Sequence, residues 1–134
     1  MSLAVQLLAI AHNTRLAAER ASREMGSPCA FDRAAVVWLE RHIQELRTEV
    51  MRAPAARRQA LIDDLGAVLY PFFGECFIRT YGGQWAFVNG YWGIDHRPRA
   101  QATTFPQKKI YRALAGDTTE SPLAMFDIIG RELG

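Results

Sequence analysis

Along the first half of the chain, apolar residues recur at three- and four-residue steps, the spacing that lines one face of an α-helix. Leu3, Leu7 and Ile10 open such a stripe, which thins into alanine before Gly26-Ser27-Pro28 stops it, predicting a helix over residues 2–25. Asp32 is placed to cap a second helix, with Phe31 before it positioned as a hydrophobic staple onto Val36. Val36, Leu39, Ile43, Leu46 and Val50 then share one face. After the "RAPAARR" turn, Leu61, Leu65, Val68 and Phe72 mark a third helix ended by Gly82-Gly83. Pro71 predicts a kink in it, because an internal proline removes a donor and crowds the preceding turn.

Beyond residue 83 the period falls to two. Asn89-Gly90 is the preferred pair for a type I′ turn, whose two central residues both need positive φ. That turn fixes a hairpin register with Val88 opposite Tyr91, Phe87 opposite Trp92, Ala86 opposite Gly93 and Trp85 opposite Ile94. Alternation sends Trp85, Phe87, Trp92 and Ile94 to one heavy face, which reads as a lid on the core. Residues 101–105 supply a third antiparallel strand, and Pro106 opens a short helix carrying Ile110 and Leu114 and stopped by Gly116. Ser121-Pro122 starts a last helix with Leu123, Phe126, Ile129 or Gly130, and Leu133 along its apolar edge. The expectation is an α+β fold in one domain over residues 1–134: N-terminal helices to residue 82 packed on a small antiparallel β-meander, followed by short C-terminal helices.

Charge narrows the partners. Sixteen basic and 14 acidic residues leave a net +2 with the signs interleaved, which is no polyelectrolyte signature and disfavours nucleic acid. Arg97, Arg99, Lys108, Lys109 and Arg112, with Tyr91 and Tyr111 nearby in sequence, leave a weak single-strand-binding alternative. Cys29 and Cys76 are isolated, without metal-ligand or redox spacing, and fit the reduced thiols of a cytoplasmic protein, with a disulfide between them left open. "MSLAVQLLAIAHN" lacks the charged start of a secretion signal and reads as helix, and no run is long enough to span a bilayer. No phosphate-loop or dinucleotide glycine pattern is present, so no cofactor is expected. Glu40, His42, Glu45 and Glu49 alternate with Arg41, Arg47 and Arg52 as a solvated helix face does, and no metal is expected there.

Cys76, His96 and Asp95 are the residue types of a thiol-nucleophile site, in which an imidazole makes the thiolate and a carboxylate orients the ring. Cys76, however, stands among Phe72, Phe73 and Phe77, where cysteine behaves as a small buried hydrophobe. Glu75 and Arg79 form an i,i+4 pair with the acid first, and a carboxylate beside Gly74 near the hairpin is also available to a partner's donor. Asn89, Tyr91, Arg97 and Arg99, at a turn and the loop after it, carry the tyrosine and arginine chemistry that anchors protein interfaces.

The succession Gly74-Glu75 on a helix, Gly82-Gly83-x-Trp85, a hairpin with Trp92-Gly93, Phe105-Pro106 and a Lys/Arg helix ending Leu114-x-Gly116-Asp117 resembles the small uncharacterised bacterial domains of the DUF3806 type. The likeness spans roughly residues 65–130, with Pro71-Phe72-Phe73 as a local departure and the first two helices outside it. It brings no catalytic set. It implies a bacterial single-domain protein of the build used by immunity proteins, and hence a non-enzymatic protein-binding module that neutralises a cognate toxin by occlusion. The alternatives are a small hydrolase or transferase using Cys76 and His96, or the weak single-strand binder.

Overall fold

The computed structural model describes residues 2–133. The first two helices begin where a side chain satisfies a free backbone amide. Helix α1 (Leu3–Met25) starts at Ser2, whose hydroxyl accepts from the Val5 amide at 3.2 Å, and ends at Gly26 in the left-handed region at φ 74°. Helix α2 (Arg33–Arg52) starts at Asp32, whose carboxylate accepts from the Ala35 amide at 3.1 Å. Helix α3 (Ala55–Tyr81) continues through the fully buried Pro71 as one element. Strands β1 (Gln84–Val88), β2 (Tyr91–Asp95) and β3 (Thr103–Thr104) follow, then α4 (Pro106–Leu114) and α5 (Pro122–Leu133). Helices α3 and α4 pack against β2 of a three-stranded antiparallel sheet of order β1-β2-β3, an α+β architecture. Among the described residues, no helix is long and apolar enough to cross a membrane.

Helix α3 is the spine. It packs against α1, α2, α4, α5 and β2, and its Phe72, Phe73, Cys76 and Phe77 are fully buried. Val36, Leu39, Ile43, Leu46 and Val50 of α2 are all buried, as their common face predicts. Phe77 meets Phe126 of α5 at 5.2 Å between ring centres, while Ile94, Ile110 and Leu114 close the centre. Each such side chain removed from water contributes roughly 1.5–3 kcal/mol, so the phenylalanine layer dominates the packing.

The hairpin takes the register set by its turn, with Val88↔Tyr91, Phe87↔Trp92, Ala86↔Gly93 and Trp85↔Ile94, and with Asn89 and Gly90 at φ 52° and 83°. Its heavy face is only half a lid. Trp92 and Ile94 are buried, but Trp85 is half-buried and Phe87 is 43% exposed. The reason is position: β1 is the outer strand, so its half of the face overhangs the helices. Leu3 and Leu7 likewise lie exposed, and burial on α1 begins at Ile10.

Polar fastenings fix the outer elements. Gln6 Oε1 accepts from the Trp92 indole at 2.9 Å, and the Asn13 side chain donates to the Ala67 carbonyl at 3.0 Å, which ties α1 to the hairpin and to α3. At the other end Glu40 accepts from the Ser121 hydroxyl at 2.8 Å and the Leu123 amide at 3.1 Å, capping α5. A forked Arg33–Asp127 pair, with both bonds near 3 Å, holds the same helix.

Candidate functional site: an apolar groove beside α1

A concavity of about 750 Å³ runs between α1, the loop at 28–31, the outer face of α3 and the rim of β1. Its α1 wall is the stripe Leu7, Ala11, Thr14, Ala18 and Ser22, in which the small side chains after Leu7 leave the depression open. Ser22 also sets the loop: its hydroxyl donates to the Ala18 carbonyl at 2.8 Å and accepts from the Cys29 amide at 2.9 Å. Phe31 closes the floor at φ 53°, an uncommon backbone conformation for a bulky residue. Its ring lies 5.5 Å from that of Phe72 and beneath the Arg79 guanidinium, 4.2 Å from the ring centre.

Glu75 and Arg79 come together here. Arg79 Nε donates to Glu75 Oε1 at 2.8 Å, and both residues line the groove opposite α1. Trp85 forms the remaining rim, its indole seated over Gly74. Arg15, Glu19 and Arg23 stand along the α1 side, and among the described residues none of their side chains is engaged in a hydrogen bond or ion pair. The cleft therefore combines an apolar floor, two aromatic anchors and a charged margin, the composition of a recognition site.

The hairpin residues are dispersed. Asn89 occupies the turn, and Tyr91 is 41% exposed with the Lys108 ammonium 4.3 Å from its ring centre. Arg97 grips Asp95 through its side chain and backbone amide, with the guanidinium 2.6 Å from Oδ2, and holds that carboxyl down at about 2. Arg99 donates to the Leu133 and Tyr81 carbonyls at 3.0 and 2.7 Å, joining the loop after β2 to the ends of α3 and α5. Lys109 and Arg112 of the loose basic group both face Glu120.

Cys76 is fully buried on α3, and burial pushes its thiol well above the ordinary range. His96 is also buried: its Nε2 lies 2.7 Å from the Thr104 hydroxyl, and its Nδ1 faces the Gly82-Gly83 backbone outside hydrogen-bond geometry. Among the described residues, no group of three or more metal-ligating side chains converges, and Glu40 is committed to capping α5. Cys29, in contrast, is a half-buried free thiol on the groove wall. The sequence marks Cys29 only as an isolated thiol and Phe31 only as a helix staple, and it gives no sign of a groove along α1 beyond the run of small residues at Ala11, Thr14, Ala18 and Ser22 on a helix face otherwise expected to be filled.

No protein-family model matches the chain, and no curated protein or solved structure does so either.

Proposed function

We propose that this chain is a non-enzymatic protein-binding module whose groove beside α1 receives an apolar segment of its partner, and that it acts as an immunity protein occluding a bacterial toxin. The groove itself carries the reading. It offers about 750 Å³ of largely apolar space, with Phe31 on its floor and Trp85 and Arg79 at its edge, and tryptophan and arginine are among the side chains that most often anchor protein interfaces. Arg15, Glu19 and Arg23 along the margin supply steering and register. Burial of the Cys76 thiol favours a binding role over a thiol nucleophile.

The test fills the groove. Tagged wild-type protein and an Ala18→Trp variant are used to capture partners from the native host's lysate, and the amounts bound are compared by quantitative mass spectrometry. A stoichiometric toxin-like protein held by the wild type and reduced at least tenfold by Ala18→Trp is expected, with Tyr91→Ala having a smaller effect. A partner retained equally by wild type and Ala18→Trp would overturn the placement, and a wild type that captures nothing would overturn the reading.

A further inference from the structure

The outer edge of β1 is an unused set of backbone hydrogen-bonding groups. A two-residue turn makes Val88↔Tyr91 a hydrogen-bonded pair, so Ala86↔Gly93 and Gln84↔Asp95 are hydrogen-bonded as well, and the N–H and C=O groups of Trp85 and Phe87 point away from β2. The opposite edge of the hairpin obeys the same phase: the Trp92 amide points outward there and donates to Gln107 Oε1 at 2.9 Å. Among the described residues no hydrogen bond reaches the outward groups of Trp85 and Phe87. Edge strands are ordinarily protected by charge, proline, a bulge or a covering element. The segment Gln-Trp-Ala-Phe-Val has neither charge nor proline, pairs without a bulge, and leaves Phe87 43% exposed.

We propose that β1 pairs antiparallel with β1 of a second copy of this chain, about a two-fold axis at Ala86, joining two three-stranded sheets into one. The strand is complementary to itself in this register. Trp85 faces Phe87 of the second copy and Phe87 faces its Trp85, so all eight outward groups are satisfied in four hydrogen bonds. Both aromatic pairs fall on the same face of the joined sheet, the cross-strand arrangement that stabilises antiparallel pairing. A neutral strand also meets itself without like charges in opposition. Trp85 belongs both to this seam and to the groove rim, but pairing of the two strands needs nothing bound in the groove.

Light scattering or sedimentation over a concentration series measures it. The expected mass is twice 15.1 kDa at high concentration, falling toward one chain on dilution. Ala86 faces its symmetry mate directly and lines a shallow pocket of about 300 Å³, which leaves room for a longer side chain. Ala86→Lys and Ala86→Glu each set like charges opposite one another, so each variant alone is expected to be monomeric, and an equimolar mixture to regain the doubled mass as lysine meets glutamate. That recovery separates lost pairing from lost folding. A wild type with the mass of one chain at every concentration, a dimer that persists in both variants, or a mixture that stays monomeric would each overturn the proposal.

Discussion

The Trp85 indole lies over Gly74 so closely that a β-carbon added to that helix position would stand 2.1 Å from the ring. Two other aromatic side chains use glycine in the same way: a β-carbon added at Gly66 would overlap the Tyr111 ring, and one added at Gly130 would overlap the Tyr81 hydroxyl and ring. In each case the missing side chain lets a ring rest directly on helix backbone, which joins β1 to α3, α4 to α3, and α3 to α5.

Gly74→Ala sets two effects in opposition. Alanine favours the helix by about 1 kcal/mol, while relieving the overlap requires the indole to slide out into the groove. The clash should prevail, with a net loss of roughly 1–3 kcal/mol in urea unfolding and a red-shifted tryptophan emission as Trp85 becomes wetter. An unchanged midpoint with unshifted emission would mean that the ring is not seated as described.

Thiol labelling distinguishes the two cysteines. Cys29 is half-buried on the groove wall, whereas Cys76 is fully buried against α3's phenylalanines, and burial raises both thiols above their ordinary value. Iodoacetamide should modify Cys29 slowly in the native protein and Cys76 only after unfolding, as read by intact mass and peptide mapping. Rapid native labelling of Cys76 would restore it as a candidate nucleophile.

The hairpin register, the helix caps at Asp32 and Gly26 and the buried face of α2 could all be read from the sequence because each depends on neighbours within a few residues. The half-open lid could not: whether Phe87 is covered depends on how far α1 and α3 extend beneath β1, and no local spacing encodes that. Arg99 is a similar case. It looks like a free surface anchor in sequence, yet its partners are carbonyls of Leu133 and Tyr81, brought to it by the packing of α5 on α3. The groove escaped notice because its walls come from four separated segments, and its α1 wall is made by side chains being small.

The Asp95–Arg97 fork gives an acid-sensitive contribution. The Arg97 guanidinium and amide hold the Asp95 carboxyl at about 2, below its ordinary 3.8, so the folded protein favours the carboxylate more than the unfolded chain does. That stabilisation is fully present above pH 3.8 and is lost as pH falls towards about 2. Arg97→Ala should therefore melt below the wild type at pH 5, with the gap narrowing through this window. A gap independent of pH would show that Arg97 acts through packing alone.

His42 predicts a separate slope at higher pH. Its ring stacks on Trp38 at 4.8 Å between centres, its Nδ1 is buried without a hydrogen bond, and the Glu45 carboxylate is 3.9 Å away. Burial, and then the Arg20 guanidinium, push the imidazole below its ordinary 6.5, so between the folded value and 6.5 the unfolded chain binds a proton that the native protein does not. Stability should consequently decline as pH falls below 6.5, with a slope of at most about 1.4 kcal/mol per pH unit from this one group. His42→Phe retains an aromatic ring against Trp38 and removes the titration. In urea titrations from pH 7.5 to roughly 5, the variant should lose stability less steeply than the wild type, with the remaining slope supplied partly by His96, which burial also depresses. Parallel curves for wild type and variant would show that His42 takes up its proton as readily in the native protein as in the unfolded chain.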